Sequence, residues 1–132
     1  IHYDYVLMLQ PTSPFRTSFD IDTCLSKLTS SIIFDSAVSV VDVEGTHPLR
    51  MKKIKSGKLV NYMNIKGENM QPRQKLEKVY IRNGALYAIR RSQFINLKSL
   101  VGNKVMPYIM PKDKSINIDD EIDFNFAKLK IK

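Results

Sequence analysis

The sequence predicts an α/β fold, and three observations carry that expectation. A short continuous apolar run, Tyr5 to Leu9, stops on a stiff polar loop, "QPTSPFRTS". An amphipathic helix pattern follows, and a second apolar run, "DSAVSVVDVE", comes directly after it. A continuous apolar run suits a strand buried on both faces of a parallel sheet. The order strand–loop–helix–strand is that of a βαβ unit. At 132 residues and 43% hydrophobic content, the chain is long enough for one domain with one core.

The elements follow in order. In "TSFDIDTCLSKLTSS", Thr17 or Ser18 can cap a helix, and Asp20 and Asp22 favour its N-terminal end. Ile21, Cys24, Leu25 and Leu28 share one face of that helix. "LRMKKIKSGKLVNYMNI" reads as two strands, polar on both faces, around a turn at "SGK". Such a hairpin suits an arm, an edge or a subunit contact. "VYIRNGALYAI" places strand residues on either side of Asn83-Gly84, as a type I′ turn or as a bulge within one strand. "RSQFINLKSL" reads as a helix, and "VMPYIMP" as a strand that Pro107 confines to an edge or a first position. "DDEIDFNFAKLKIK" has acids first, lysines last, and Ile122, Phe126 and Leu129 at helical spacing, so it reads as a closing helix.

Composition narrows the function classes. The 21 basic and 13 acidic residues give a net charge of +8, open to nucleic acid, an anionic surface, an anionic small substrate, or simply a solvated lysine-rich surface. The aromatic residues do not interleave with Arg and Lys in an RNA-binding signature, and no helix-turn-helix pattern is visible, so nucleic acid is not expected. Cys24 alone cannot form an internal disulfide or a metal cluster, and its place on the apolar helix face predicts a packed thiol. No apolar run nears the roughly 18 residues of a membrane span and no signal peptide is visible, so a cytoplasmic protein is expected. The opening "IHYDYVLML" begins almost at once on a strand, which predicts a piece of a longer protein.

Three groups of residues carry candidate chemistry. Loops at the carboxyl ends of parallel strands are where open α/β sheets bind ligands. There Gln10 offers a donor and an acceptor, Pro11 and Pro14 stiffen the backbone, and Arg16 can reach a phosphate or carboxylate. The competing reading is a proline-stabilised turn with a solvated arginine. In "SINIDDEIDF", Asn117 and Asp119 point the same way if extended, presenting two oxygens of the kind Mg²⁺ takes. The competing reading, which the residues alone favour, makes Asp119, Asp120 and Glu121 capping and dipole residues for the last helix. Arg50, Arg73 and Arg82 are candidate carboxylate binders or surface residues, and His47 in "THPL" is a base or a turn residue.

"LQPTSPFRT", "HPLRM", "PRQ…VYIRNGALYAI" and "SINIDDEIDF" together resemble, in order and rough spacing, the acylneuraminate cytidylyltransferases, the CMP-sialic acid synthetases and their relatives acting on legionaminic and pseudaminic acids. The resemblance runs from about residue 4 to residue 128. It implies a Rossmann-like nucleotidyltransferase sheet, here incomplete, with a β-hairpin dimerisation arm at residues 46–70 inside a single partial domain, 1–132. It implies an enzyme, cytoplasmic and homodimeric, that joins CTP to a nonulosonic acid such as N-acetylneuraminate, giving CMP-sugar and pyrophosphate with Mg²⁺ or Mn²⁺. Carried over by position, Gln10, Arg50, Arg73 and Tyr87 resemble sugar-contacting residues, with Arg50 standing where the family often has Lys. Asn117 and Asp119 resemble the family's metal-binding pair of aspartates, with Asn117 replacing the first. The residue performing the catalytic step is not assigned. The family's glycine-rich basic loop for the CTP triphosphate has no counterpart in these residues, so the chain alone is expected to be inactive. The alternative reading is a non-catalytic sugar-binding or assembly module.

Overall fold

The elements in chain order are β1 (Tyr5–Met8), α1 (Ser18–Thr29), β2 (Ser36–Asp42), β3 (Lys52–Lys55), β4 (Lys58–Asn61), β5 (Tyr80–Arg90), α2 (Arg91–Leu97), β6 (Val105–Ile109) and α3 (Glu121–Ile131). They come from a computed structural model that describes residues 2–68 and 70–131. The chain divides into two compact units. One comprises the residues up to Val41 together with those from Arg82 onward; the other is Asp42–Ile81.

The first unit is built on a four-stranded sheet of order β1-β5-β2-β6. β1 pairs antiparallel with β5, Tyr5 opposite Arg90 and Met8 opposite Tyr87. β2 pairs parallel with β6, Ser36 opposite Val105. Arg90 N–H donates to Asp35 O at one end of β5, and Leu86 N–H to Ser39 Oγ further along, so β5 runs against β2. The sheet is therefore mixed. β1, α1 and β2 form the expected strand–helix–strand succession, but β5, arriving from much later in the sequence, is inserted between the two strands. β1 becomes an edge strand, half-buried along its length rather than buried on both faces. Pro107 lies in the other edge strand, β6, where its missing N–H leaves no gap in the ladder.

α1 starts at a capping box. Thr17 Oγ1 accepts from Asp20 N–H while Asp20 Oδ2 accepts from Thr17 N–H at 2.9 Å. Its inner face buries Cys24 and Leu28 completely, against Ala37, Leu86, Ala88, Met106, Tyr108 and Met110. At the other end of the helix, Arg90 donates to Ser31 O at 2.7 Å and to Leu28 O at 3.5 Å, satisfying carbonyls that a helix C-terminus leaves open. The same guanidinium donates to Tyr5 Oη at 2.9 Å and Phe34 O at 3.3 Å, tying β1, β5 and α1 together.

Asn83-Gly84 does not turn the chain. β5 continues through it, and Gly84, at φ +74°, puts a left-handed kink in the strand that only glycine adopts without strain. α3 has the expected bounds and polarity, but its buried residue is Ala127, while Ile122, Phe126 and Leu129 stay 78%, 60% and 69% exposed. Their spacing predicted a shared apolar face, and the described residues do not cover it.

In the second unit, β3 and β4 form an antiparallel hairpin with Ile54 opposite Leu59 and Lys55 opposite Lys58. Ser56 and Gly57, at φ +49° and +72°, make the turn, the two left-handed residues that a type I′ hairpin needs. Alternation puts exposed Ile54 and Leu59 on one face and Lys53, Lys55 and Lys58 on the other. Lys52 and Asn61 share the first face and Val60 the second, so both faces carry polar residues, with the exposed apolar pair confined to one of them.

Candidate functional site

The loop after β1 folds back over the kink in β5. Ser13 N–H donates to Gln10 O at 3.2 Å, closing a tight turn around Pro11. The buried Ser13 hydroxyl then donates to Asn83 O at 3.2 Å. Gln10 lies directly over Gly84: a Cβ added there would come within 2.1 Å of Gln10 Oε1. A glycine at residue 84 thus serves twice, supplying the left-handed φ and leaving room for the glutamine.

Arg16 resolves a question the sequence left open. Its Nη1 donates to Ala85 O at 2.6 Å and to Gln10 O at 3.3 Å, so it clamps the loop to β5 rather than standing free for a phosphate.

The segment after β6 meets this loop from the other side. Ile118 N–H donates to Thr12 O at 2.8 Å. Asn117 accepts from Ser13 Oγ at 3.4 Å through Oδ1 and donates through Nδ2 to Asp119 Oδ1 at 2.6 Å. Gln10, Asn117 and Asp119 are thereby brought to one end of the sheet. Asp120 accepts from Asp123 N–H at 2.9 Å, which is a capping role for α3. Asp119 carries a separate bond, its N–H donating to Asp123 Oδ2 at 3.0 Å, and its side chain is exposed.

Among the described residues, no three His, Cys, Asp or Glu side chains gather to hold a metal. The chemistry of the Asn117–Asp119 pair still fits a hard cation: turning the Asn117 amide over would set its oxygen beside the Asp119 carboxylate. One carboxylate and one amide oxygen suffice for Mg²⁺ when substrate phosphates complete its shell.

Tyr87 lies on β5, 8% exposed, opposite Met8 of β1. Strand alternation directs it to the face away from Leu86 and Ala88, which pack with α1.

Asn83 is the residue that reading the sequence passed over. It was legible only as half of a turn signal. In the fold its Oδ1 accepts from Ser39 Oγ at 2.6 Å and from Ala85 N–H at 3.2 Å. Its Nδ2 donates to Ser115 Oγ at 2.9 Å and approaches Met110 Sδ at 3.4 Å.

Three further candidates, Arg50, Arg73 and His47, belong to the second unit. Arg50 is exposed and donates to Gln71 O at 3.1 Å. Arg73 is exposed and sits 3.9 Å from the Glu44 carboxylate, on a cleft of about 260 Å³ lined also by His47, Gln74 and Glu77. His47 is a turn residue: Nδ1 accepts from Leu49 N–H at 3.2 Å and Nε2 donates to Glu77 O at 3.1 Å. With both nitrogens engaged and 6% exposure, it is not placed as a base.

In the first unit, Arg82 is exposed and the Cys24 thiol is buried. Burial pushes that thiol up to about 11, with Lys27 opposing, so it is inert near neutrality. Beside it, the buried Asp20 carboxylate takes bonds from Thr17, from Tyr108 Oη at 3.3 Å and from Lys114 Nζ at 3.2 Å. No helix among the described residues is long and apolar enough to cross a membrane.

No family model matches the chain. Individual proteins do. The N-acylneuraminate cytidylyltransferase of Escherichia coli O18:K1:H7 is 26% identical over 125 residues, covering 95% of this chain and 29% of that protein. Post-translational flagellin modification protein B of Campylobacter coli is 24% identical over 130 residues, covering 98% of this chain and 54% of that protein. The N-acylneuraminate cytidylyltransferase of Streptococcus agalactiae serotype III is 29% identical over 118 residues, covering 89% of this chain and 28% of that protein. The chain thus spans about half or less of the length of these relatives. The likeness extends along most of its residues, so the chain is similar to the N-acylneuraminate cytidylyltransferases and to flagellin modification protein B.

Proposed function

We propose that this chain is the sugar-binding and arm-bearing portion of a Rossmann-like cytidylyltransferase. The whole enzyme would join CTP to a nonulosonic acid of the sialic acid type, releasing pyrophosphate. The observation that carries this reading is the seating of the 115–119 segment on the proline loop, through Ile118 N–H and Thr12 O, with Gln10 held over Gly84. Two loops that the sequence marked for chemistry become one wall at the end of the sheet.

In this wall Gln10 reads a hydroxyl or amide of the sugar, using the donor and acceptor of its side-chain amide. Tyr87 lines the sugar pocket. Arg50 and Arg73 take anionic groups of the substrate, the sugar carboxylate foremost, since a planar guanidinium pairs with a carboxylate in two-point fashion. Asn117 and Asp119 would hold Mg²⁺ or Mn²⁺, which when bound neutralises phosphate charge. The chain's own share of the chemistry is positioning, which accounts for much of the rate in phosphoryl transfer. The hairpin within residues 46–70 serves as the arm of a homodimer, its exposed Ile54–Leu59 pair facing the second copy. These 132 residues include no glycine-rich basic loop able to cradle a triphosphate, so the chain by itself is inactive.

Calorimetry with N-acetylneuraminate and related acids, together with pyrophosphate release in the presence of CTP and Mg²⁺, tests this. The chain alone is expected to bind a nonulosonic acid without turnover, and Gln10→Ala or Arg73→Ala to weaken that binding about tenfold or more. Turnover by the 132 residues alone would refute the inactivity. Absence of binding to every acid tried would refute the sugar site.

A further inference from the structure

We infer that Ser39, a fully buried residue of β2, is the positioning residue for the wall formed by the proline loop and the 115–118 segment, and that it acts through Asn83. The kink at Gly84 interrupts the regular ladder between β5 and β2. Ser39 fills the interruption: its hydroxyl accepts from Leu86 N–H at 2.7 Å and donates to Asn83 Oδ1 at 2.6 Å, with Leu86 O at 3.1 Å as a second acceptor. A side chain here replaces a backbone partner, and its single proton orients the Asn83 amide.

That orientation propagates. With Oδ1 committed to Ser39 and Ala85, the amide nitrogen of Asn83 faces Ser115 Oγ at 2.9 Å. Ser115 is bonded onward to Pro111 O at 2.8 Å, which anchors the start of the segment leading to Asn117. The backbone carbonyl of Asn83 meanwhile receives the Ser13 hydroxyl of the proline loop. One residue therefore holds both loops, each by a different group, and Ser39 fixes that residue from behind. Ser39, Asn83 and Ser13 are 0%, 7% and 1% exposed, so no water substitutes for a lost partner without opening the core.

The arrangement fixes how far the proline loop stands from the 115–118 segment, which the Ile118–Thr12 bond of 2.8 Å reports directly. Its meaning for ligand binding rests on the sugar-site reading above; its meaning for loop placement does not.

Site-resolved amide hydrogen exchange separates the two. In Ser39→Ala, exchange at Ser13 and Ile118 is expected to accelerate about tenfold relative to the amides of α1, because the two loops lose their common anchor. A residue that merely fills the core would speed all amides together, so an unchanged ratio of Ile118 to α1 exchange overturns the proposal. Should Ser39→Ala fail to fold, Ser115→Ala breaks the far end of the same relay outside the core. It is expected to free Ile118 while α1 stays protected, and unchanged Ile118 exchange there overturns the proposal equally. In the same variants, affinity for N-acetylneuraminate is expected to fall about tenfold. A wild-type chain that binds no nonulosonic acid would remove the sugar-site reading and leave the exchange result standing.

Discussion

Replacing Gly84 by alanine probes the fold and the site with one methyl group. At φ +74° the backbone lies in the left-handed region, where an alanine costs about 1–2 kcal/mol. The added Cβ would also fall 2.1 Å from Gln10 Oε1 and 3.3 Å from Gln10 Cδ. Because these atoms are the free end of a flexible side chain, the conflict is relieved by Gln10 swinging away rather than by backbone movement. The stability loss should therefore stay near the conformational cost, about 1–2 kcal/mol, or a fall of roughly 3–10 °C in Tm for a chain of this size. Binding should fall as far as in Gln10→Ala, since the glutamine is displaced in both. The assay pairs thermal or denaturant unfolding with calorimetric titration of N-acetylneuraminate, for both single variants and the double. In the Gln10→Ala background, Gly84→Ala should still cost its stability increment but have no further effect on binding. A Gly84→Ala protein within about 0.5 kcal/mol of wild type would refute the reasoning, as would one that keeps full affinity.

Two further outcomes follow from the first unit. Gly102→Ala would place a Cβ 2.0 Å from Asp35 Oδ1 and 2.8 Å from Ser36 Oγ. The Asp35 carboxylate is pinned by Asn103 N–H, Lys104 N–H and the Ser36 hydroxyl, so it cannot yield, and denaturant unfolding should show a loss of about 2–3 kcal/mol. Gly45→Ala, with nothing within 4 Å of its Cβ, is the control and should be nearly neutral. For Asp20, burial alone would push the carboxyl up, but the Thr17 hydrogen bonds and the Lys114 ammonium outweigh it and hold the group below its ordinary value of 3.8. A carboxyl lowered in the folded state contributes stability that is complete above its ordinary value and lost as pH falls through the lowered one. Acid unfolding monitored below about pH 4 should therefore be steeper in wild type than in Asp20→Asn, which should itself lose about 1.5–3 kcal/mol at neutral pH. Parallel acid limbs in the two proteins would rule this out.

What the sequence made legible was mostly local. The cap at Thr17, the buried side of α1, the edge position of Pro107 and the bounds of α3 each depend on residues a few positions apart. What it did not reveal was non-local. Nothing near Tyr5 announces that its strand pairs with residues about 85 positions later, or that β5 enters the sheet between β1 and β2. The same holds for the candidate site. Gln10, Asn117 and Asp119 stand out as chemistry-bearing residues in loops, whereas Asn83 and Ser39 look like ordinary strand residues until the kink at Gly84 leaves polar groups needing partners. Arg16 and His47 show the reverse case: side chains suited to chemistry whose bonds go to backbone groups. α3 carried the right period, but period alone does not say which neighbour covers a face.

The placement of β5 also sets an order of events during synthesis. The apolar residues of β1 leave the ribosome about 85 residues before Arg90, the partner of Tyr5. At about 5–20 residues per second, that interval lasts roughly 4–17 s. The β3–β4 hairpin and α1, made of neighbouring residues, can form within it, whereas Val6, Leu7 and Met8 must wait without the strand they pair with. A nascent chain is most exposed to aggregation in such an interval, and for this protein the vulnerable stretch is the strand that leads into the proline loop.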